Sequence, residues 1–370
     1  MSESIEHTLP AERIVSIDAL RGFDMFWIIG GGAALDTLVE VWDNPVTRTI
    51  NEQLKHVKWE GFRFEDLIFP LFLFITGTVL PFSMSRRREK GQSSKEIHLH
   101  ILKRSTVLIF LGLIFNNLQN FEWSQMRWPG VLQRIGVCYF FAAIIVVHTK
   151  WRTQAIIIGA VLILYWLAAI LIPVPGYGAG VMTMEGCLSS YVDQQLIPGT
   201  LYYGHGDNEG FISTFPAVCT VLLGALAGHW LRSRHPGSKK AAGLAIAGVT
   251  CVAAGYLWSF AFPIIKIIWT SSYMLFAGGW SLMLLALFYW IIDVKGYRRW
   301  TFFFVVIGVN PITIYVLQRF VDFGDMAEFF LSGVAANAGL LAPLVIPTGV
   351  LAIKWLLLWF LYRHKIFFKV

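Results

Sequence analysis

The histidine at position 56 lies in the segment Lys55-His56-Val57-Lys58-Trp59-Glu60-Gly61-Phe62-Arg63-Phe64-Glu65-Asp66, at the mouth of an apolar run that opens near Phe64. An imidazole, with an ordinary pKa of about 6.5, takes up and gives back protons near neutral pH. Asp66 falls about one helical turn inside that run, where a carboxylate is costly unless it is paired or hydrated. Arg134, in Gly130-Val131-Leu132-Gln133-Arg134, stands at a similar depth in another run and is the expected partner of Asp66. Further polar and aromatic groups reach the same level: Trp59 and Glu60, Asp207 and Glu209, and Lys266, Trp269 and Tyr273. Their common depth predicts one outward-facing pocket in which a histidine moves a proton beside a fixed charge pair.

The elements that must hold these residues are membrane helices. The chain has 370 residues, 56% hydrophobic and only 14% charged, with a mean hydropathy of +0.60. That leaves too little polar surface to cover a water-soluble globule. Ten apolar runs are long enough to cross a bilayer at about 20 residues each; they begin near Asp18, Phe64, Ser105, Gly130, Thr153, Phe211, Ala241, Ser271, Thr301 and Asn337. The expectation is an all-α polytopic integral membrane protein of about 10 transmembrane helices. Residues 1–17 form a tail with no cleavable apolar core, 18–362 a single transmembrane domain, and 363–370 a second tail. Cys138, Cys187, Cys219 and Cys251 show neither metal-ligand spacing nor a disulfide framework, and no metal is expected.

The net charge of +7 resolves into two sides. Most of the 30 Lys and Arg residues fall in alternate loops, among them Arg86, Arg87, Arg88, Lys103 and Arg104, and most of the 23 Asp and Glu residues fall in the others. Basic residues in short loops stay cytoplasmic, so both termini are placed inside. This explains the basicity by orientation, without a nucleic-acid partner.

The order of motifs resembles the heparan-α-glucosaminide N-acetyltransferase family. It is carried by Arg13-Ile14-Val15-Ser16-Ile17-Asp18-Ala19-Leu20-Arg21-Gly22, Lys55-His56 through Trp59, Gly61, Asp66 and Phe69-Pro70, Gly130 to Arg134, Asp207 with Glu209-Gly210, and Lys266, Trp269, Ser272-Tyr273. The lysosomal member reads Trp-Asn-Gly where this chain has Trp59-Glu60-Gly61, and an active-site Asn of that member falls near Ile28. The resemblance implies a compact membrane enzyme that passes acetyl groups from cytosolic acetyl-CoA to an amino sugar on the other side of a bacterial inner membrane. It also implies His56 as the catalytic histidine and a homodimeric assembly.

Amide formation from a thioester needs a proton acceptor and donors for the oxyanion. His56 serves as base or as acetyl carrier, Asp66 orients it, and Arg134 holds Asp66 or polarises the thioester. Arg86, Arg87, Lys103 and Arg104 are expected to meet the CoA phosphates. Trp59, Glu60, Asp207, Glu209, Lys266, Trp269 and Tyr273 are expected to meet the sugar, and the loop bearing His56 to fold inward. Simpler roles compete: a salt-bridged anchor for Asp18, Arg21 and Asp24, a lipid-phosphate anchor for the basic run, interfacial seating for the tryptophans, and, for the whole chain, a sugar transporter lined by the same groups.

Overall fold

The computed structural model describes residues 14–118 and 122–367. Residues 1–13 of the first predicted tail and 368–370 of the second lie outside them. The described chain is helical: α1 Val15–Val41, α2 Pro45–Gln53, α3 Glu65–Glu89, α4 Ser94–Asn117, α5 Val131–His148, α6 Trp151–Leu171, α7 Leu188–Leu196, α8 Thr214–Leu231, α9 Gly237–Trp258, α10 Ser271–Val294, α11 Thr301–Val309, α12 Pro311–Leu317, α13 Phe323–Asn337 and α14 Gly339–Arg363. Nine of these, α1, α3 to α6, α8 to α10 and α14, are long and apolar enough to cross a membrane among the described residues, which makes the chain a polytopic integral membrane protein.

The ninth expected span, from Thr301, is not one helix. At Asn310 the backbone leaves the helical region (φ −127°, ψ 49°), and Pro311, with no N–H to give, restarts the chain as the short α12. A helix the sequence did not predict, α13, then packs along α14, where Leu331 and Ala327 lie against Gly349. The two ends of the bundle can still be matched. Gly308 packs on Asp18 and Gly22 of α1, and Asn310 donates to the carbonyl of Ile366, just past α14. The start of α1 and the end of α14 therefore share one end of the bundle.

Close backbone approach sets the central packing. A Cβ at Gly77 of α3 would stand 1.8 Å from the Val221 carbonyl oxygen of α8, and one at Gly224 would stand 2.0 Å from that of Phe74. Without side chains between them, the two helices gain contact by fitting backbone to backbone, the common solution where lipid removes the hydrophobic drive. α3 is thereby clamped deep in the bundle with Asp66 in its first turn.

Charge inside the bundle is handled locally. α1 carries a π-turn at Trp27–Gly31, with Gly30 at φ 129°, and the Ile29 carbonyl there accepts from the buried Lys354 ammonium at 2.9 Å, with Gln318 Oε1 at 3.2 Å. Of the expected anchor, Arg21 pairs with Asp18 at 3.3 Å, while Asp24 takes no part and is fully buried.

Because no relaxation can remove a backbone clash, Gly224→Val should cost at least the ~1–3 kcal/mol of overpacking. In detergent it should lower the unfolding midpoint and the yield of monodisperse protein, whereas Gly333→Ala, on α13 with open space beside it, should leave both unchanged.

Candidate active site

The loop that carries His56 is tied down on both sides. α2 opens with Asn44 accepting from the backbone of Val46 and Thr47, with Pro45 next to it. Its last residue, Gln53, accepts from the Phe64 N–H at 3.0 Å. Beyond His56 the chain pairs with the α9–α10 connection: Gly61 N–H donates to the Ile264 carbonyl at 2.9 Å, and Glu60 bridges Ile265. Trp59 donates its indole N–H to the Met182 carbonyl at 2.7 Å. The loop thus folds onto the bundle, but the His56 side chain is still 59% exposed, facing an open vestibule instead of an enclosed interior.

Asp66 organises what surrounds it. Its Oδ2 accepts from the backbone N–H groups of Arg63 (3.1 Å) and Val57 (3.3 Å). Its Oδ1 lies 3.0 Å from His56 Nδ1 and 3.2 Å from Lys266 Nζ. Its backbone carbonyl accepts from the Tyr273 hydroxyl at 2.7 Å. The side chain is 1% exposed, so every one of these bonds replaces lost hydration. Lys266 Nζ also stands 3.0 Å from His56 Nδ1. That nitrogen has a single role to fill: it either donates to the carboxylate or accepts from the ammonium. Burial pushes the Lys266 pKa below its usual value, against the pull of Asp66.

The cation beside Asp66 is therefore Lys266. Arg134, the expected partner, turns the other way: its guanidinium donates to the Gly210 carbonyl at 3.0 Å and to Ser213, and it lies over the Trp269 ring at 5.3 Å. The α9–α10 loop delivers Lys266 first, and Trp269 fills the space between Arg134 and the site. Trp269 is 1% exposed, with φ 51°, a conformation costing about 1–3 kcal/mol outside glycine. It is wedged edge-on against Phe69 and Tyr273.

A cavity of about 230 Å³ opens beside the cluster, lined by His56, Glu65, Lys266, Trp269, Asn208 and Glu209 and by apolar groups that include Met25, Ile28, Phe69, Phe72, Pro311 and Tyr315. The expected sugar-binding set is thus only partly brought together. Glu60 points outward and is exposed, Trp59 is fastened to Met182, and Tyr273 is fully buried behind Asp66. Asp207 is buried too, bound bidentately by Arg127, whose guanidinium also holds Glu209 at 2.7 Å. Burial pushes the Glu209 carboxyl up to about 7, with Arg134 and Arg127 opposing and Asp207 reinforcing the rise. Glu65, Arg127 and the α12 residues were not singled out as site residues. The neighbour of Asp66 and the Asn310-Pro311 break inside an apolar run were their only sequence signals.

A second cavity, of about 520 Å³, lies along the same pair of helices. It is lined by Ile17 and Asp18 of α1, by Val79, Phe82, Ser83, Arg86 and Arg87 of α3, and by Lys90 just past its end. Phe72 and Val79 are two turns apart, as are Met25 and Asp18, so about 10 Å of helix separates the two cavities. Lys103 and Arg104 do not line it; Arg104 lies on Tyr139 instead, at 4.6 Å. Among the described residues no cluster of His, Cys, Asp and Glu is arranged to hold a metal ion.

Comparison with known proteins agrees with the resemblance read from the motifs. Residues 13–178 match a family model described as a domain of unknown function, DUF5009. Over 97% of its length the chain is 26% identical to the heparan-alpha-glucosaminide N-acetyltransferase of Homo sapiens, and likewise to that of Mus musculus. It spans 60% and 61% of those two proteins.

Removing the Asp66 charge strands the Lys266 ammonium. Asp66→Asn should cost up to about 3–5 kcal/mol, as for other broken buried pairs. Adding Lys266→Met should return part of that, with a coupling of about 1–3 kcal/mol between the two sites. Thermal unfolding of the two single variants and the double variant in detergent measures this, and strictly additive losses would contradict the pairing.

Proposed function

We propose that this protein is a membrane N-acetyltransferase that transfers the acetyl group of acetyl-CoA to the amine of an amino sugar at the His56 cavity. The observation that carries the reading is the His56–Asp66–Lys266 cluster on a cavity stacked, between the same two helices, above a second cavity bearing Arg86, Arg87 and Lys90. The similarity to N-acetyltransferases over nearly the whole chain supports it.

The chemistry follows from which atoms are engaged. His56 uses Nδ1 toward Asp66 and Lys266, so Nε2 is left for the cavity. With Nδ1–H donated to Asp66, Nε2 carries the lone pair. The amine attacks the thioester carbonyl, a C–N bond forms and the C–S bond breaks. The proton that leaves the amine passes to Nε2 and from there to the departing thiolate of CoA. The alternative route, in which Nε2 itself first receives the acetyl group, runs through the same nitrogen. Lys266, on the wall of the same cavity, supplies positive charge to the oxyanion that forms there. Glu65, Asn208 and Glu209 on the cavity wall offer acceptors to sugar hydroxyls and to an incoming ammonium.

The basic cavity suits the phosphates of CoA, because Arg and Lys bind phosphate with charge-assisted hydrogen bonds. A thioester arm rising from there along α1 and α3 reaches the His56 cavity. With the basic end of α3 inside, acetyl-CoA comes from the cytoplasm and the sugar from the outer face. We place the protein in a bacterial inner membrane, and we take it to act as a homodimer.

The test is transfer of radiolabelled acetyl from acetyl-CoA to glucosamine by purified protein in detergent. His56→Ala should lower the rate by ~10²–10⁴-fold, the range for a lost general base. Arg86→Glu with Arg87→Glu should raise KM for acetyl-CoA while leaving kcat nearly unchanged, the pattern of lost uniform binding. Absence of transfer by the wild-type protein, or full activity of His56→Ala, would sink the proposal.

A further inference from the structure

A third cavity, of about 480 Å³, runs along the lipid-facing side of α5, α6 and α8. Its wall is hydrocarbon: Val137 and Phe141 from α5, Ile157 and Val161 from α6, Val218 and Leu222 from α8. It opens sideways past Phe141, Phe215 and Leu196, each about half exposed. From Arg134 to Ile145, both on its wall, α5 rises about 16 Å.

The end of this groove near the active site is of a different kind. Arg134 and Gln133 line it at 2% and 7% exposure, as does Trp128. Among the described residues, the Arg134 Nε and Nη1 atoms, the Gln133 amide nitrogen and the Trp128 indole nitrogen are buried without a hydrogen-bond partner, and the Gln133 amide oxygen is the single unpartnered acceptor beside them. Four orphaned donors in an apolar surround carry a large penalty unless a guest accepts from them. The guest that matches is anionic and rich in acceptor oxygens, with a phosphate as the natural fit to a guanidinium. Glu209 lines both this groove and the His56 cavity, so the two adjoin, and Glu209 is itself held by Arg127.

Resting on the acetyltransferase reading, we infer that the acceptor is a lipid-linked amino sugar: its hydrocarbon tail lies in the α5–α6–α8 groove, its phosphate meets Arg134, Gln133 and Trp128, and its sugar reaches past Glu209 to His56. The acceptor then enters from the bilayer through the lateral opening, and its tail holds the amine at the thioester. The groove adds binding only and leaves the acetyl-transfer step as it stands above.

The experiment uses the full chain in lipid nanodiscs and a dodecyl phosphodiester of glucosamine carrying a diazirine in its alkyl chain. Photolabelling should fall on groove residues such as Phe141 and Val218. Val161→Trp, and separately Ile157→Trp, should suppress it. In acetyl transfer the amphiphile should exceed free glucosamine in kcat/KM by more than about tenfold, the size of one charge-assisted hydrogen bond to Arg134 that the free sugar, lacking the phosphate, does not make. Either tryptophan variant should erase that advantage and keep the wild-type rate on free glucosamine, which also shows that the variant folds. Label scattered over the lipid-facing surface, label indifferent to both variants, or equal competition by phosphatidylglycerol would overturn the assignment, the last marking an ordinary lipid site. Equal transfer to free sugar and amphiphile would overturn it while the acetyltransferase reading stands. Label in the groove with no acetyl transferred to any acceptor would instead remove the acetyltransferase reading and leave an amphiphile site.

Discussion

A carboxylate at the top of a membrane helix, 1% exposed, has to be satisfied from all sides at once, and Asp66 is where this protein does so. Two backbone N–H groups, an imidazole and an ammonium converge on its two oxygens. The hydroxyl of Tyr273 in α10 fastens the carbonyl of the same residue. Three stretches of chain far apart in sequence, the His56 loop, the first turn of α3 and the α9–α10 connection, are therefore fixed relative to one another by the need to neutralise one buried charge. The position of His56 follows from that requirement. An exposed loop histidine becomes an oriented one because one of its nitrogens helps to satisfy Asp66, which leaves the other toward the cavity.

What the bundle adds is direction. α3 is pressed against α8 through Gly77 and Gly224 and runs from Asp66 at one end to Arg86 and Arg87 at the other. The two cavities that matter to the proposed reaction lie on this helix and on α1 beside it, one toward each end. In the proposed reaction the donor and the acceptor are thus met at two cavities that lie along the same pair of helices.

Much of this was legible in the sequence, and for physical reasons. Hydropathy fixes the helices because bilayer thickness fixes their length, and the runs opening near Phe64, Gly130 and Ser271 became α3, α5 and α10. The importance of Asp66 was legible because a carboxylate at that depth demands partners. Which partner it takes was not, since depth along a helix says nothing about azimuth: Arg134 lies at the right level yet faces Gly210 and Ser213, and the loop residue Lys266 fills its place. Average hydropathy also passed over Asn310-Pro311, so a broken pair of helices read as one span. Glu60, Trp59 and Tyr273 lie near the cavity without lining it, because side-chain aim depends on the pairings of Glu60 with Ile265, Trp59 with Met182 and Tyr273 with the Asp66 carbonyl, which no local pattern encodes.

In the proposed reaction His56 acts through its free ring nitrogen while Asp66 and Lys266 hold the rest of the cluster in place. The most direct measurement is chemical rescue: acetyl transfer to glucosamine by His56→Gly, in which the cluster loses only its imidazole, with imidazole added to the assay. Transfer should be lost in the variant and return in proportion to the unprotonated imidazole supplied, because the small molecule fills the vacated space beside Asp66 and takes the amine proton. A His56→Gly protein that transfers acetyl as fast as the wild type without imidazole would contradict the central claim.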